Sequence, residues 1–153
     1  MFHYTECGLS NIYLKSGYHL TDEGGEEFVS FEKLDLLHWW ISHYLCKKTT
    51  RLSGEQVRFI RKEMNLTQEK FGEITFNDRQ TVARWEKGQV PIPPMPDLMI
   101  KLICFESIAE ELSVFEFYTR LKDAEIDQQK DKVVFEFIND SWQLSVNKEH
   151  AND

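Results

Sequence analysis

The chain has 153 residues, 41% of them hydrophobic and eleven of them Phe, and a formal net charge of -8. That composition supplies one average core or two small ones, so a folded, soluble protein is expected. No apolar run approaches the roughly 18 to 20 residues needed to span a bilayer, which excludes a helical membrane anchor in this sequence. Met1–Ser10 lacks both the basic start and the apolar stretch of a signal peptide, so the expected location is cytoplasmic. Cys7, Cys46 and Cys104 are odd in number and widely spaced, which suits reduced thiols better than a disulfide framework.

The charge is unevenly placed. Residues 1–50 carry four cationic against seven anionic side chains, residues 51–103 nine against seven, and residues 104–153 five against twelve. Only the middle segment is net basic, so a surface that faces phosphate belongs there.

In chain order, Ile12–Leu14 is apolar, residues 23–27 form an acidic turn with two glycines, and Phe28–Phe31 alternates like a strand. Leu34, Leu37, Trp40, Ile41 and Leu45 recur at helical spacing and predict a helix over Lys33–Leu45. The aromatic run Trp39, Trp40 and Tyr44 on that helix reads as core. Lys47–Arg51 is a polar connection and the expected domain boundary.

The helices that follow are clearly punctuated. Ser53 and Gln56 have the spacing of a capping box, flanked by Leu52 and Val57 as a hydrophobic staple. Thr67 repeats the device with Leu66 and Phe71. Helices are expected over Gly54–Met64, Gln68–Ile74 and Arg79–Lys87, the last stopped by Gly88 and then Pro91 and Pro93. A further helix, Pro96–Leu112, is apolar on more than one face and needs two partners. One is its own core; the other is a second copy of the chain or the C-terminal segment. Val133–Ile138, the turn Asn139–Asp140 and Ser141–Val146 read as a β-hairpin.

Function concentrates in residues 66–88, LTQEKFGEITFNDRQTVARWEKG. Phe71 and Ile74 on one helix must meet Val82 and Trp85 on the next, and Gly72 and Ala83 are small where the helices approach. Arg79, Gln80 and Arg84 are not needed for that core and project together. Arg pairs with the guanine O6 and N7 acceptors and Gln with adenine when a helix lies in the major groove.

FIRKEMNLTQEKFGEI followed by RQTVARWEKG and a proline-rich exit resembles the lambda-repressor-like (XRE) helix-turn-helix family. The longer stretch from Cys7 to about Glu106 is similar to MqsA-like antitoxins, which join a zinc-ribbon-derived N-terminal domain to such a helix-turn-helix. The resemblance implies base reading by Gln80 and Arg84 with Arg79 beside them, and backbone contacts by Gln68 and Thr81. Lys87 is a further phosphate candidate. It also implies a structural ion pair between Arg61 and Glu86. Two departures stand out. Where the family often places glycine in the turn, this chain has Thr75, Phe76 and Asn77, and Asn77 is expected to take the left-handed conformation in place of Phe76. Tyr4 stands where the first metal-binding cysteine would be, leaving the zinc-ribbon degenerate with no paired ligands.

The expected fold is therefore mainly α with small β elements. Its parts are a degenerate zinc-ribbon-like α+β subdomain over residues 1–50, a helix-turn-helix domain over 51–113, and an acidic extension with a hairpin over 114–153. No metal, cofactor or catalytic residue is expected, since no phosphate-cradling loop or nucleophile motif is present and His3, Cys7, His19, His38, His43, Cys46 and Cys104 lack ligand spacing. The expected partners are double-stranded DNA with an inverted-repeat operator, a second copy of the chain and, if the antitoxin resemblance extends to function, a protein toxin.

Overall fold

The computed structural model describes residues 1–108 and 132–145. Along these the elements are β1 (Phe2–His3), β2 (Ile12–Leu14), β3 (Tyr18–Glu23), β4 (Glu26–Phe31), α1 (Leu34–Cys46), α2 (Gly54–Glu63), α3 (Gln68–Thr75), α4 (Arg79–Glu86), α5 (Pro94–Ile108), β5 (Val133–Ile138) and β6 (Ser141–Leu144). The fold is mainly α with small β elements, as the sequence predicts. The described residues fall into two compact units, residues 1–40 with 132–145, and residues 41–108.

In the first unit, four strands form a sheet in the order β1-β2-β5-β6. β2 and β5 run parallel, with Ile12 beside Val133 and Leu14 beside Phe135, while β5 and β6 form the antiparallel hairpin. Its turn residues Asn139 and Asp140 both have positive φ, as a two-residue primed turn requires. β3 and β4 pair only with each other, in register across the Gly24–Gly25 turn. Alternation puts Ile12, Leu14, Phe135 and Trp142 in the core, all essentially inaccessible to water. The Trp142 indole N–H donates to the Glu32 carbonyl at 2.7 Å, satisfying its polar edge. Gly17 is required beside it, because it has φ +81° and a Cβ there would lie 2.4 Å from the Trp142 ring.

Tyr4 is buried in this unit, and its hydroxyl shares a 2.7 Å hydrogen bond with His38 Nε2. Tyr4 is thus part of a packed core. α1 begins at Leu34, one residue later than expected, because Lys33 has positive φ and its ammonium reaches the Asp140 carbonyl and carboxylate. Trp39 is at least a third exposed, so the expectation that it is core is corrected.

The second unit holds α2–α5 and the C-terminal turns of α1. Its helix starts follow the local code. Ser53 and Gln56 form the reciprocal capping box, and Thr67 Oγ1 accepts from the Lys70 amide at 3.0 Å. Such caps stabilise by about 1 kcal/mol each. Gly54 starts α2 because the carbonyl oxygens of Trp85 and Glu86 lie 2.4 and 2.6 Å from where a Cβ would be. α5 begins at Pro94, earlier than expected, with proline at its first position. Residues 109–112 of the expected helix, the acidic stretch to residue 131 and the chain from Val146 lie outside the described residues.

Asp97 and Lys101 on α5 tie down the connection after α1. Lys101 is fully buried, pairs with Asp97 at 2.9 Å, and donates to the carbonyls of Lys48 and Thr50. Asp97 in turn accepts from the Leu52 amide at 2.8 Å. Burial pushes the Lys101 ammonium below its usual range against the pull of Asp97. Cys46 and Cys104 are buried free thiols of the same unit. The hydrogen bond to Cys46, reinforced by burial, pushes the Cys104 thiol well above the usual range.

Candidate nucleic-acid interface

α3 and α4 pack through Phe71, Val82 and Trp85, all buried, with the Phe71 and Trp85 rings edge to face at 6.1 Å. Gly72 permits this approach, since a Cβ there would lie 2.5 Å from the Asn77 carbonyl oxygen. Arg61 of α2 fixes the far end of α4. Its Nε and Nη2 donate to the two Glu86 carboxylate oxygens at 2.9 and 2.8 Å, and its Nη1 donates to the Leu66 carbonyl. Both side chains are nearly buried, so this bidentate pair acts as an oriented clamp. The ion pair that the resemblance implies is present.

On this platform the inward positions of α4 are apolar and the outward ones polar. Arg79, Gln80, Arg84 and Lys87 are all exposed, and Gln80 and Arg84 are one helical turn apart. Lys87 is the C-cap of α4. Gln68 is half-buried at the first position of α3, behind the Thr67 cap, where amides point outward. Thr81 is half-buried, and its hydroxyl donates to Asp78 Oδ1 at 2.6 Å. In this arrangement its proton is committed within the protein, which leaves the hydroxyl oxygen only acceptor capacity.

Asp78 is the residue that sequence reasoning missed. It is the N-cap of α4, accepting from both the amide and the hydroxyl of Thr81. Those hydrogen bonds hold its carboxyl below the usual carboxylate range, with the Arg84 charge adding a smaller effect. The signal was available: an Asp three residues before Thr81 is a helix-start pattern. The tip of α4 therefore carries a fixed negative charge among Arg79 and Arg84.

The turn between α3 and α4 corrects another expectation. Phe76, not Asn77, adopts the left-handed conformation, with φ 59° and ψ 38°. Asn77 is held otherwise by its own bonds: its amide donates to the Gly72 carbonyl at 2.8 Å and its side-chain amide to the Thr75 carbonyl and hydroxyl. With Asn77 fixed, the positive φ falls one residue earlier, onto a side chain that is 95% exposed. A non-glycine residue pays about 1 kcal/mol or more for that backbone.

No three His, Cys, Asp or Glu side chains among the described residues gather as a metal site would need. His3, His19 and His38 are each engaged in a separate hydrogen bond.

Three helices clamped around a buried aromatic pair, with one helix presenting arginine and glutamine outward, define a helix-turn-helix domain of the XRE type. Residues 57–105 match the helix-turn-helix family model, which covers α2 from its fourth residue through most of α5. The chain thus carries a DNA-binding regulatory domain. No curated protein and no solved structure matches the chain. These comparisons do not reach the antitoxin or zinc-ribbon part of the resemblance. No helix among the described residues is long and apolar enough to cross a membrane.

Proposed function

We propose that the protein is a dimeric, sequence-specific transcriptional repressor that reads the major groove with α4. Arg79, Gln80 and Arg84 contact base edges; Gln68, Thr81 and Lys87 contact the sugar-phosphate backbone. The observation that carries this reading is the exposed Gln80–Arg84 face on a helix whose orientation is fixed by the Arg61–Glu86 clamp. Thr81 serves as an acceptor-side contact through water, or donates directly once the Asp78 cap is released.

What supports dimerisation is that Leu98 and Leu102 of α5, two turns and one turn before Phe105 in one apolar cluster, are only half-buried within the chain and so leave apolar surface for a second copy. Two copies related by a two-fold axis would set their reading helices about 34 Å apart and select an inverted repeat. Binding of the full chain to the DNA upstream of its own gene, against random DNA at two salt concentrations, tests the reading. Selective binding that weakens with salt is expected. Equal affinity for both DNAs would sink base reading, and a monomer at micromolar concentration by sedimentation would sink the inverted repeat.

A further inference from the structure

Phe76 combines two unfavourable features in the free protein. It is a large aromatic side chain left almost wholly in water, and its backbone occupies a conformation that suits glycine. Neither feature is needed by the domain's own packing. The α3–α4 core is closed by Phe71, Val82 and Trp85, and the turn is held by Gly72, Thr75 and Asn77 through hydrogen bonds that do not involve the Phe76 side chain. Glycine at position 76 would satisfy the same turn without strain, so the side chain is explained only by something outside the unit.

The setting of that side chain indicates what it meets. Its exposed neighbours in the chain, Glu73, Asp78, Arg79 and Gln80, are polar or charged, Ile74 is half-buried, and Asn77 is bonded back to the turn. A protein interface centres on a contiguous apolar patch with aromatic anchors, and this turn has a single aromatic ring and no such patch in its own sequence. The one cation of this set, Arg79, and Gln80 stand at the start of α4, and a lone apolar group beside them matches the wall of a major groove, where thymine methyl groups stand between hydrogen-bond acceptors. The carboxylates of Glu73 and Asp78 must then lie clear of the phosphates. Phe76 also lies three residues before Arg79, at the end of α4 that presents Arg79 and Gln80.

We propose that Phe76 is an apolar specificity residue that packs its ring on the 5-methyl group of a thymine beside the bases read by α4. This rests on the reading of α4 as the base-contacting helix. The exposure is carried in the free protein and relieved when the ring leaves water on the duplex, while the turn keeps its backbone conformation.

The test uses the full chain and a duplex enriched by the wild-type protein from a random pool. Phe76→Gly, which suits the positive φ, should not lower the melting temperature and should weaken binding to that duplex about tenfold. Replacing single thymines by uracil removes only the methyl group; at one position this should cost wild type about fourfold and Phe76→Gly nothing. Arg84→Ala separates the two levels of the argument. If no duplex is enriched, or Arg84→Ala binds it as wild type does, the α4 reading itself fails. If Arg84→Ala weakens binding while Phe76→Gly does not, or if uracil is tolerated everywhere, the thymine contact is wrong and the α4 reading stands. A shift in sedimentation of free Phe76→Gly would assign the ring to a second copy of the chain and overturn the proposal.

Discussion

The two units of this molecule are built by opposite strategies. In residues 41–108 the starts of α2, α3 and α4 are set by partners close in sequence, Ser53 with Gln56, Thr67 with Lys70, Asp78 with Thr81, and remote pairs such as Arg61–Glu86 then join helices already capped. In the sheet unit they are remote, since the Ser16 hydroxyl exchanges hydrogen bonds with Phe137, 121 positions away. A unit of capped helices can be read, and can form, from local rules; a parallel strand pair depends on chain that no local rule connects.

That contrast can be broken most severely at its two anchors. Trp142→Ala should cost about 3 to 5 kcal/mol, since it empties the centre of the sheet unit and orphans the Glu32 carbonyl. Hydrogen exchange should then show lost protection in β2, β5 and β6 first, and uniform loss across α2–α4 would refute the division. Arg61→Ala should cost about 3 kcal/mol or more in the other unit by leaving Glu86 charged and nearly buried. Denaturant unfolding checks it, and the double variant Arg61→Met, Glu86→Leu should recover much of the loss.

Smaller perturbations sharpen the same comparison. Gly54→Ala should destabilise by about 1 to 3 kcal/mol although alanine is the better helix former, because its methyl would meet the backbone at the end of α4. A stability gain would mean that α2 and α4 do not approach so closely. Arg84→Ala should leave the melting temperature near wild type while weakening specific DNA binding by about 1 to 3 kcal/mol. The smallest effect is in acid. The Asp78 carboxyl is held below its unfolded value, so its contribution to stability is present above the ordinary carboxylate range. It is lost as pH falls through the lowered folded value. The melting temperature of wild type should therefore drop toward that of Asp78→Asn on acidification, and parallel curves would rule the linkage out.

The legibility of the sequence follows the same divide. α2, α3 and α4 lie within a residue of their expected bounds, because caps, staples and the apolar spacing of Phe71, Val82 and Trp85 are all written within a few positions. The β5–β6 hairpin was equally readable from its Asn139–Asp140 turn. β1 is only two residues long, and β3 is largely exposed with a polar run through Thr21, Asp22 and Glu23, so neither shows a burial pattern. The pairing of β2 with β5 leaves no trace in either segment alone. At the site, the outward residues of α4 were legible from helical periodicity. The conformation of Phe76 was not, because it is decided by hydrogen bonds that Asn77 makes to Gly72 and Thr75 rather than by intrinsic preference.

The parallel β2–β5 pair also orders events during synthesis. A ribosome releases β2 early and β5 only after the whole of α2–α5 has emerged. Helices α2–α5 can close while β2 still shows an open edge, and β5 and β6 complete the sheet afterwards. A nascent chain stalled before Val133 would present finished helices joined to an unfinished, adhesive sheet, so β2 is safe from aggregation only once β5 has followed it out.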